Sequence, residues 1–369
     1  MQDTTRGAII GCILGTALGD AIGLPCEGLS PVRQRKLFGE TGEPTLFFGR
    51  RMVSDDTEHT IMTAQALVQS RGDVEKFTLC FAKNLRAWIL CLPAGVGLAT
   101  LKACLKLCIG ISPERSGVWS AGNGPAMRSA LLGVCLGDDV ETLRQLVSAS
   151  SRLTHTDPRA EHGAFAVALA AHFAATRPAN FSPIEYSNAL RQALGDDAEE
   201  LYDLVDRAAN SVQSVQSVQN AQTTRDFAIE LGLKRGVSGY VLHTVPVALH
   251  AWLCHRDDLR AAVTEIVRCG GDTDSTGAIV GALVGARVGE AGLPADWLQS
   301  LSEWPHNANW MRELSLALSN SLNDEADKDL NHPQSVSLPR ASIFAILLRN
   351  LFFLCVVWCH GLRRVLPPY

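Results

Sequence analysis

Aromatic residues are scarce in this chain: Phe, Trp and Tyr together make up 6% of its 369 residues. That shortage disfavours a β-sandwich, whose core draws on Tyr, Phe and Thr, and favours closely packed helices built from Ala, Leu, Val, Ile and Gly. The 11 cysteines include no CxxC pair. An odd count without zinc spacing argues against a disulfide framework or a zinc site. It favours reduced thiols that pack in the core, with Cys104 and Cys108, and likewise Cys355 and Cys359, sharing one face of a helix. There is no strongly basic block, and the net charge is −5, so nucleic acid is not an expected partner. The N-terminus has no basic start and Asp20 interrupts its apolar run, so it does not read as a secretory signal. These absences point to a cytoplasmic protein, expected as a monomer.

What is present is enough hydrophobic material, 47%, for a sizeable core. Helical periodicity dominates and strand signals are weak. Helices are predicted to start near Gly7, Asp55, Val74, Gly97, Gly122, Val140, Pro158, Pro183, Thr223, Tyr240, Leu259 and Asp274. The expected organisation is one all-α domain over 1–320, a polar linker over 321–340 carrying Pro333 and Pro339, and a hydrophobic C-terminal helix over 341–369. The Val-Gln-Ser repeat of 211–219 reads as a loop tip or frayed helix end.

Two glycine series stand out. Gly7, Gly11, Gly15, Gly19 and Gly23 recur at every fourth position, as do Gly277, Gly281, Gly285 and Gly289. Each glycine costs about 1 kcal/mol against alanine inside a helix. Two such smooth helix faces therefore predict central helices whose backbones approach a neighbour closely. Each series adjoins an acidic motif.

The first motif is SDDTEHT, from Ser54 to Thr60, at the start of a helical run. Ser and Asp are good helix caps, and Asp55 with Glu58 resembles a capping box. A cap needs one oxygen, however, and Ser54, Asp55 and Asp56 offer three in a row. The second motif is GGDTDSTG, from Gly270 to Gly277. Asp272 and Asp274 would diverge on a helix but can converge in a turn entering one, and the paired glycines permit the positive φ such a turn needs. Converging carboxylates without basic partners repel unless a cation joins them. Oxygen donors of this kind suit Mg²⁺, Mn²⁺ or Ca²⁺. Further candidates are Glu27, in the loop after the first glycine-faced helix, and His155 in THTDP. Two Gly-rich helix starts, Gly95 to Thr100 and Ser120 to Arg128, could bind phosphate through backbone N–H groups.

In this order the segments GAIIGCILGTALGDAIGLPCEG, SDDTEHT, GVGLAT, AGNGPAMR, THTDPRAEHGA and GGDTDSTGAIVGALVGA resemble the ADP-ribosylglycohydrolase family, over most of the chain from Gly7 to Gly289. The resemblance implies a compact orthogonal all-α fold with two divalent cations, Mg²⁺ or Mn²⁺. It implies Ser54, Asp55, Asp56, Asp272, Asp274 and Ser275 as metal ligands, and Gly97, Ser120, Gly122, Asn123, Gly124 and His155 on the ADP-ribose side. Glu27, Asp55 or Asp56 is implied as the proton acceptor. Relatives place Tyr or Phe before the GNG segment to stack on the ligand, where this chain has Ala121. The implied reaction is hydrolysis of the glycosidic bond between ADP-ribose and a side chain of an ADP-ribosylated protein. Two rivals stay open: a member that only binds ADP-ribose or serves structurally, and a hydrolase of a small ADP-ribosyl conjugate.

The tail poses its own question. The run 343–359 is apolar apart from Arg349 and Asn350, and Arg340, Arg363 and Arg364 flank it. Extended over 343–362 it is long enough to associate with or cross a membrane, with Arg349 costing about 2.5–3.5 kcal/mol at depth. The other option is a helix folded back onto a hydrophobic groove of the domain or of a partner.

Overall fold

The structure is a computed structural model that describes residues 2–39, 43–46, 48–178, 180–215, 222–326 and 337–364. Among these residues there are helices and isolated β-bridges but no strands. In chain order the helices are α1 Gln2–Gly23, α2 Pro31–Phe38, α3 Asp55–Ser70, α4 Val74–Leu90, α5 Leu98–Cys108, α6 Pro113–Ser116, α7 Ala130–Leu136, α8 Val140–Arg152 and α9 Pro158–Thr176. They continue with α10 Pro183–Leu194, α11 Glu199–Val215, α12 Thr224–Glu230, α13 Val241–Cys254, α14 Leu259–Val267, α15 Thr273–Val288, α16 Ala295–Ser300, α17 Ala308–Ala326 and α18 Ile343–Arg364.

The two glycine series meet each other. A Cβ built on Gly11 would lie 2.0 Å from the Gly285 carbonyl oxygen, one on Gly15 2.2 Å from that of Gly281, and one on Gly19 1.9 Å from that of Gly277. Gly23 stands in the same way against the Thr273 carbonyl, at 2.1 Å. Thus α1 and α15 run antiparallel in backbone contact, at the centre of the molecule. The C-terminal end of α1 is thereby set against the N-terminal end of α15, where Asp272 and Asp274 sit. Within the first series Gly7 differs, with nothing inside 4 Å of the place a methyl group would take.

Several expectations are corrected. No helix starts at Gly122; a 3₁₀ turn spans Ala126–Arg128 and α7 begins at Ala130. The backbone there is committed elsewhere, since Asn123 N–H donates to the Gly239 carbonyl at 2.9 Å. The first helix starts at Gln2 rather than near Gly7. Of the two options for the Val-Gln-Ser repeat, residues 211–215 take the helix end, as the last residues of α11, while 216–219 lie outside the described residues. Helix α17 runs to Ala326, past the expected linker start. Residues 327–336 lie outside the described residues, but Leu338 and Ala341 pack on the core and Trp310 Nε1 donates to the Arg340 carbonyl at 3.2 Å. Of the cysteines expected to pack, Cys108, Cys355 and Cys359 are exposed.

The tail takes the folded-back option on one face only. Arg349, 3% exposed, reaches from α18 to Glu303 (Nε–Oε1, 2.8 Å) and Glu58 (Nη1–Oε1, 3.1 Å), and its Nη2 donates to the Val53 carbonyl at 2.6 Å. Asn350 donates to the Cys91 carbonyl at 2.8 Å, and Phe353 and Val356 pack with Leu24, Leu46, Met52 and Ala94. Replacing Arg349 by Met would leave Glu58 and Glu303 buried without a cation. We expect a loss of about 3–5 kcal/mol in denaturant unfolding, against less than about 0.5 kcal/mol for Leu351→Ser on the outward face. Equal stability of the two variants would show that Arg349 does not anchor the helix.

Candidate active site

Helix capping, the plainest explanation for the acidic motifs, accounts for none of their aspartates. At α3 the cap is Ser54, whose Oγ accepts from Asp56 N–H at 3.4 Å. Asp20, from the glycine-faced α1, takes up further orphan donors of that turn: its carboxylate accepts from Ser54 N–H at 2.9 Å, Thr57 N–H at 3.2 Å and Thr57 Oγ1 at 2.5 Å. Glu58 closes no capping box. It accepts from Trp88 Nε1 at 2.6 Å and pairs with Arg349. At α15 Asp272 occupies the cap position without a side-chain capping bond. Its Oδ2 accepts instead from Asn123 Nδ2 at 2.7 Å.

The turn before α15 has the form its glycines predict. Gly270 and Gly271 have φ of 73° and 85°. A Cβ on Gly271 would strike the Val237 carbonyl oxygen at 2.0 Å. The Gly271 N–H donates to the Leu29 carbonyl at 2.9 Å and Gly28 N–H to the Gly271 carbonyl at 2.7 Å, which pins the exposed Glu27 loop to this turn.

The carboxylates so gathered feel one another. Asp20, Asp56 and Asp274 are 0%, 1% and 5% exposed. Burial pushes the Asp20 carboxyl up to about 7, against the pull of its hydrogen bonds. Asp56 is raised well above the usual range by burial, then by repulsion from Asp55, Asp20 and Asp272. Asp274 is raised likewise by burial, then by Glu27, Asp272, Asp56 and Asp20. Asp55 follows the same pattern, with burial first and then Glu58, Asp20 and Glu27. Residues from both motifs and from the Glu27 loop therefore share one electrostatic neighbourhood.

Whether that neighbourhood suits a cation can be judged from its donors. Asp56 Oδ1 and Asp274 Oδ1 are buried without a hydrogen-bond partner, an arrangement that costs free energy unless a proton or cation supplies one. The donors are oxygens only, which fits a hard divalent cation. Among the described residues no three His, Cys, Asp or Glu side chains are already drawn into a metal-binding cluster. The residues fit the group, as a set of acids short of positive charge.

The Gly-rich segments adjoin the acids. A Cβ on Gly95 would come within 3.7 Å of Asp55 Oδ1. Gly97 sits at the cap of α5 with open space around it and no side-chain cap bond. Gly122 and Gly124 lie against His155, each 3.0 Å from a ring atom by the same measure, and Ser120 Oγ accepts from Gly122 N–H at 3.3 Å. Burial depresses the His155 imidazole to about 3, so it stays neutral at physiological pH. Ser275 is buried at the first turn of α15. Trp119, on the same loop as Ala121, is exposed.

Two residues outside the expected site set organise it. Asp20 ties α1 to α3. Arg128, fully buried, donates to His59 Nδ1 at 3.0 Å, to the Ser150 carbonyl at 2.8 Å and to Thr154 Oγ1 at 2.8 Å, which joins SDDTEHT, GNGPAMR and THTDP. The only sequence signal for either was a charge set within an apolar or Gly-rich stretch.

The scaffold is all-α and gathers buried acids beside Gly-rich loops. The ADP-ribosylglycohydrolase family profile matches residues 1–328. The chain belongs to that family, and the reaction class it carries is hydrolysis of an ADP-ribose conjugate. Similar proteins include an uncharacterized protein of Archaeoglobus fulgidus, 32% identical over 300 residues, covering 79% of this chain and 90% of the relative. ADP-ribosylhydrolase ARH3 of Gallus gallus is 27% identical, covering 82% and 92%. ADP-ribosyl-[dinitrogen reductase] glycohydrolase of Rhodospirillum rubrum is 24% identical, covering 79% and 89%. A solved structure described as an ADP-ribosylglycohydrolase-related protein complex shares the fold, with a TM-score of 0.56 at 24% identity over 87% of this chain and 99% of that one.

Proposed function

We propose that this chain hydrolyses the glycosidic bond joining ADP-ribose to a protein side chain, with two divalent cations, Mg²⁺ or Mn²⁺, held by Ser54, Asp55, Asp56, Asp272, Asp274 and Ser275. The observation that carries the reading is the pair of buried, unpartnered carboxylate oxygens, one from each motif, in a neighbourhood of mutually repelling acids. The cations would supply positive charge at the ribose hydroxyls and make a water more acidic near neutral pH.

The chain's own residues have separable tasks. Asn123 orients Asp272 by its amide, and Ser54 Oγ donates to Asp56 Oδ2 at 3.0 Å, so each motif presents a held carboxylate. Glu27, exposed on its pinned loop, is the acid best placed to pass a proton to solvent, with Asp55 and Asp56 as the other acceptors. Gly97 and Gly124 offer backbone N–H groups to phosphate, with Gly122 and the Ser120 hydroxyl beside them, which lets a protein of net charge −5 hold an anionic ligand. Neutral His155 borders these glycines as a hydrogen-bonding wall.

The test is release of free ADP-ribose from Arg-linked and Ser-linked ADP-ribosylated peptides, with Mg²⁺, Mn²⁺ or EDTA. Release with either metal and none above background in EDTA is expected. Undiminished release in EDTA would refute the metal assignment. Calorimetric binding of ADP-ribose without turnover of any conjugate would refute the enzyme reading.

A further inference from the structure

Helix α18 is amphipathic in the reverse sense of a docked helix. Its polar residues Arg349, Asn350 and His360 face the protein, the last at 2.6 Å from the Leu46 carbonyl. Its outward face is apolar: Phe344 is 74% exposed and Trp358 67%, with Leu348, Leu351, Leu354 and Leu362 exposed between and beyond them. No exposed position from Ile343 to Leu362 carries a charge. Over 22 residues that face extends about 33 Å. Soluble monomers rarely leave so long an apolar strip in water.

We infer that α18 is an interfacial helix that lays this face into the surface of an anionic lipid bilayer without crossing it. Three observations select that occupant. Arg349 is locked mid-helix to Glu58, Glu303 and Val53, so the helix cannot leave the domain to span a bilayer while the anchor holds. Exposed Arg340 precedes the helix, and Arg363 and Arg364 stand at its end in sequence, which brackets an uncharged face with charges complementary to anionic headgroups. The outward side chains are mostly bulky Leu, Phe and Trp, with Cys355, Cys359 and Gly361 the small residues among the exposed positions, a composition dominated by side chains suited to lipid. Exposed Leu90 and Leu92 flank Cys91, which Asn350 grips, and they widen the apolar surface on the domain side.

The placement has a consequence for the site, and this consequence alone rests on the proposed hydrolase reading. The inward face of α18 contacts Val53 and Glu58, on either side of the Ser54 to Asp56 motif. A protein docked by α18 would therefore work on conjugates held at the membrane surface.

The experiment is flotation of the full-length chain with vesicles of equimolar phosphatidylcholine and phosphatidylglycerol, independent of any turnover assay. The chain should float with these vesicles and be stripped from them by alkaline carbonate. The triple variant Leu348→Gln, Leu351→Gln, Trp358→Gln should lose at least about tenfold in bound fraction while melting as the parent does. Trp358→Gln alone should give a smaller loss and serves if the triple variant melts early. Absence of flotation, or flotation unaffected in both variants, would overturn the proposal. So would resistance to carbonate, which means a span. A dimer in vesicle-free solution that the triple variant dissociates, without flotation of the parent, would assign the face to a second copy instead.

Discussion

Asp274→Asn is expected to abolish turnover and, in the absence of metal, to stabilise the fold. The two effects have one cause. Asp274 is buried among Glu27, Asp272, Asp56 and Asp20, and its carboxyl is raised well above the usual range by burial and by those neighbours. The amide keeps the shape and removes the charge. It also ends the need for the buried Oδ1 to find a proton or cation. We expect a gain on the order of 1–2 kcal/mol in EDTA, about 1–3 °C in Tm. Turnover with Mn²⁺ should fall at least about a thousandfold, about 4 kcal/mol of activation free energy, because one ligand of the proposed centre is gone.

The pH dependence follows from the same groups. For an acid whose folded-state pKa is raised, the unfolded chain gives up its proton first, so stability falls as pH rises above the unfolded value. Asp20 moves from an ordinary 3.8 to about 7, so its share of metal-free stability is lost between about pH 4 and pH 7. Asp55, Asp56 and Asp274, all raised well above the same value, extend the decline upward. Metal should reverse the trend, since cations compete with protons for these oxygens. Thermal melts from about pH 5 to about pH 8, in EDTA and in Mn²⁺, measure both slopes. The idea is sunk if Asp274→Asn melts below the parent in EDTA, or if it still releases ADP-ribose at the parental rate.

The central helices were legible in the sequence because glycine at every fourth position of a helix has a cost that only close packing offsets. That the two series face each other was not legible, since each one alone predicts only a close neighbour. The acidic motifs were legible as an excess of oxygen over what a cap requires. At the first motif the Ser54 cap is local, but Asp20, which reaches across from α1 to take up further donors of that turn, depends on a tertiary contact that no local pattern encodes. Asn123 shows the same limit: its Gly-rich setting suggests a ligand loop but gives no sign that its amide Nδ2 also holds Asp272. No helix starts at Gly122 because the Ala121 carbonyl accepts from Val241 N–H and Asn123 N–H donates to the Gly239 carbonyl, lateral bonds that a helix start would have to break. Arg349 read as a charge misplaced in an apolar run; its partners Glu58 and Glu303 come from segments far away in the chain.

Gly15→Ala should unfold the protein or come close to it, whereas Gly7→Ala should stabilise it. Helix propensity predicts a gain of up to about 1 kcal/mol for both changes. The two sites differ only in what the new methyl group meets. At Gly7 nothing lies within 4 Å, so the gain should appear in full. At Gly15 the Cβ would sit 2.2 Å from the Gly281 carbonyl oxygen and 3.0 Å from the Gly285 Cα. Both are backbone atoms of a helix and neither can turn aside as a side-chain end would. Relief requires α1 and α15 to separate by about 1 Å or more, across a seam where Gly11, Gly19 and Gly23 are equally tight. Overpacking a core commonly costs about 1–3 kcal/mol, and a rigid backbone seam should exceed that, at about 3–5 kcal/mol. The damage would also reach the chemistry. The contact of Gly23 with Thr273 sets the spacing between the α1 end that carries Asp20 and the α15 start that carries Asp274. Any Gly15→Ala protein that does fold should therefore bind Mn²⁺ more weakly than the parent. Denaturant unfolding of the two variants beside the parent decides the matter. A Gly15→Ala protein as stable as Gly7→Ala would mean that the helices do not meet in this register, and the account of how the two acidic motifs are brought together would fail with it.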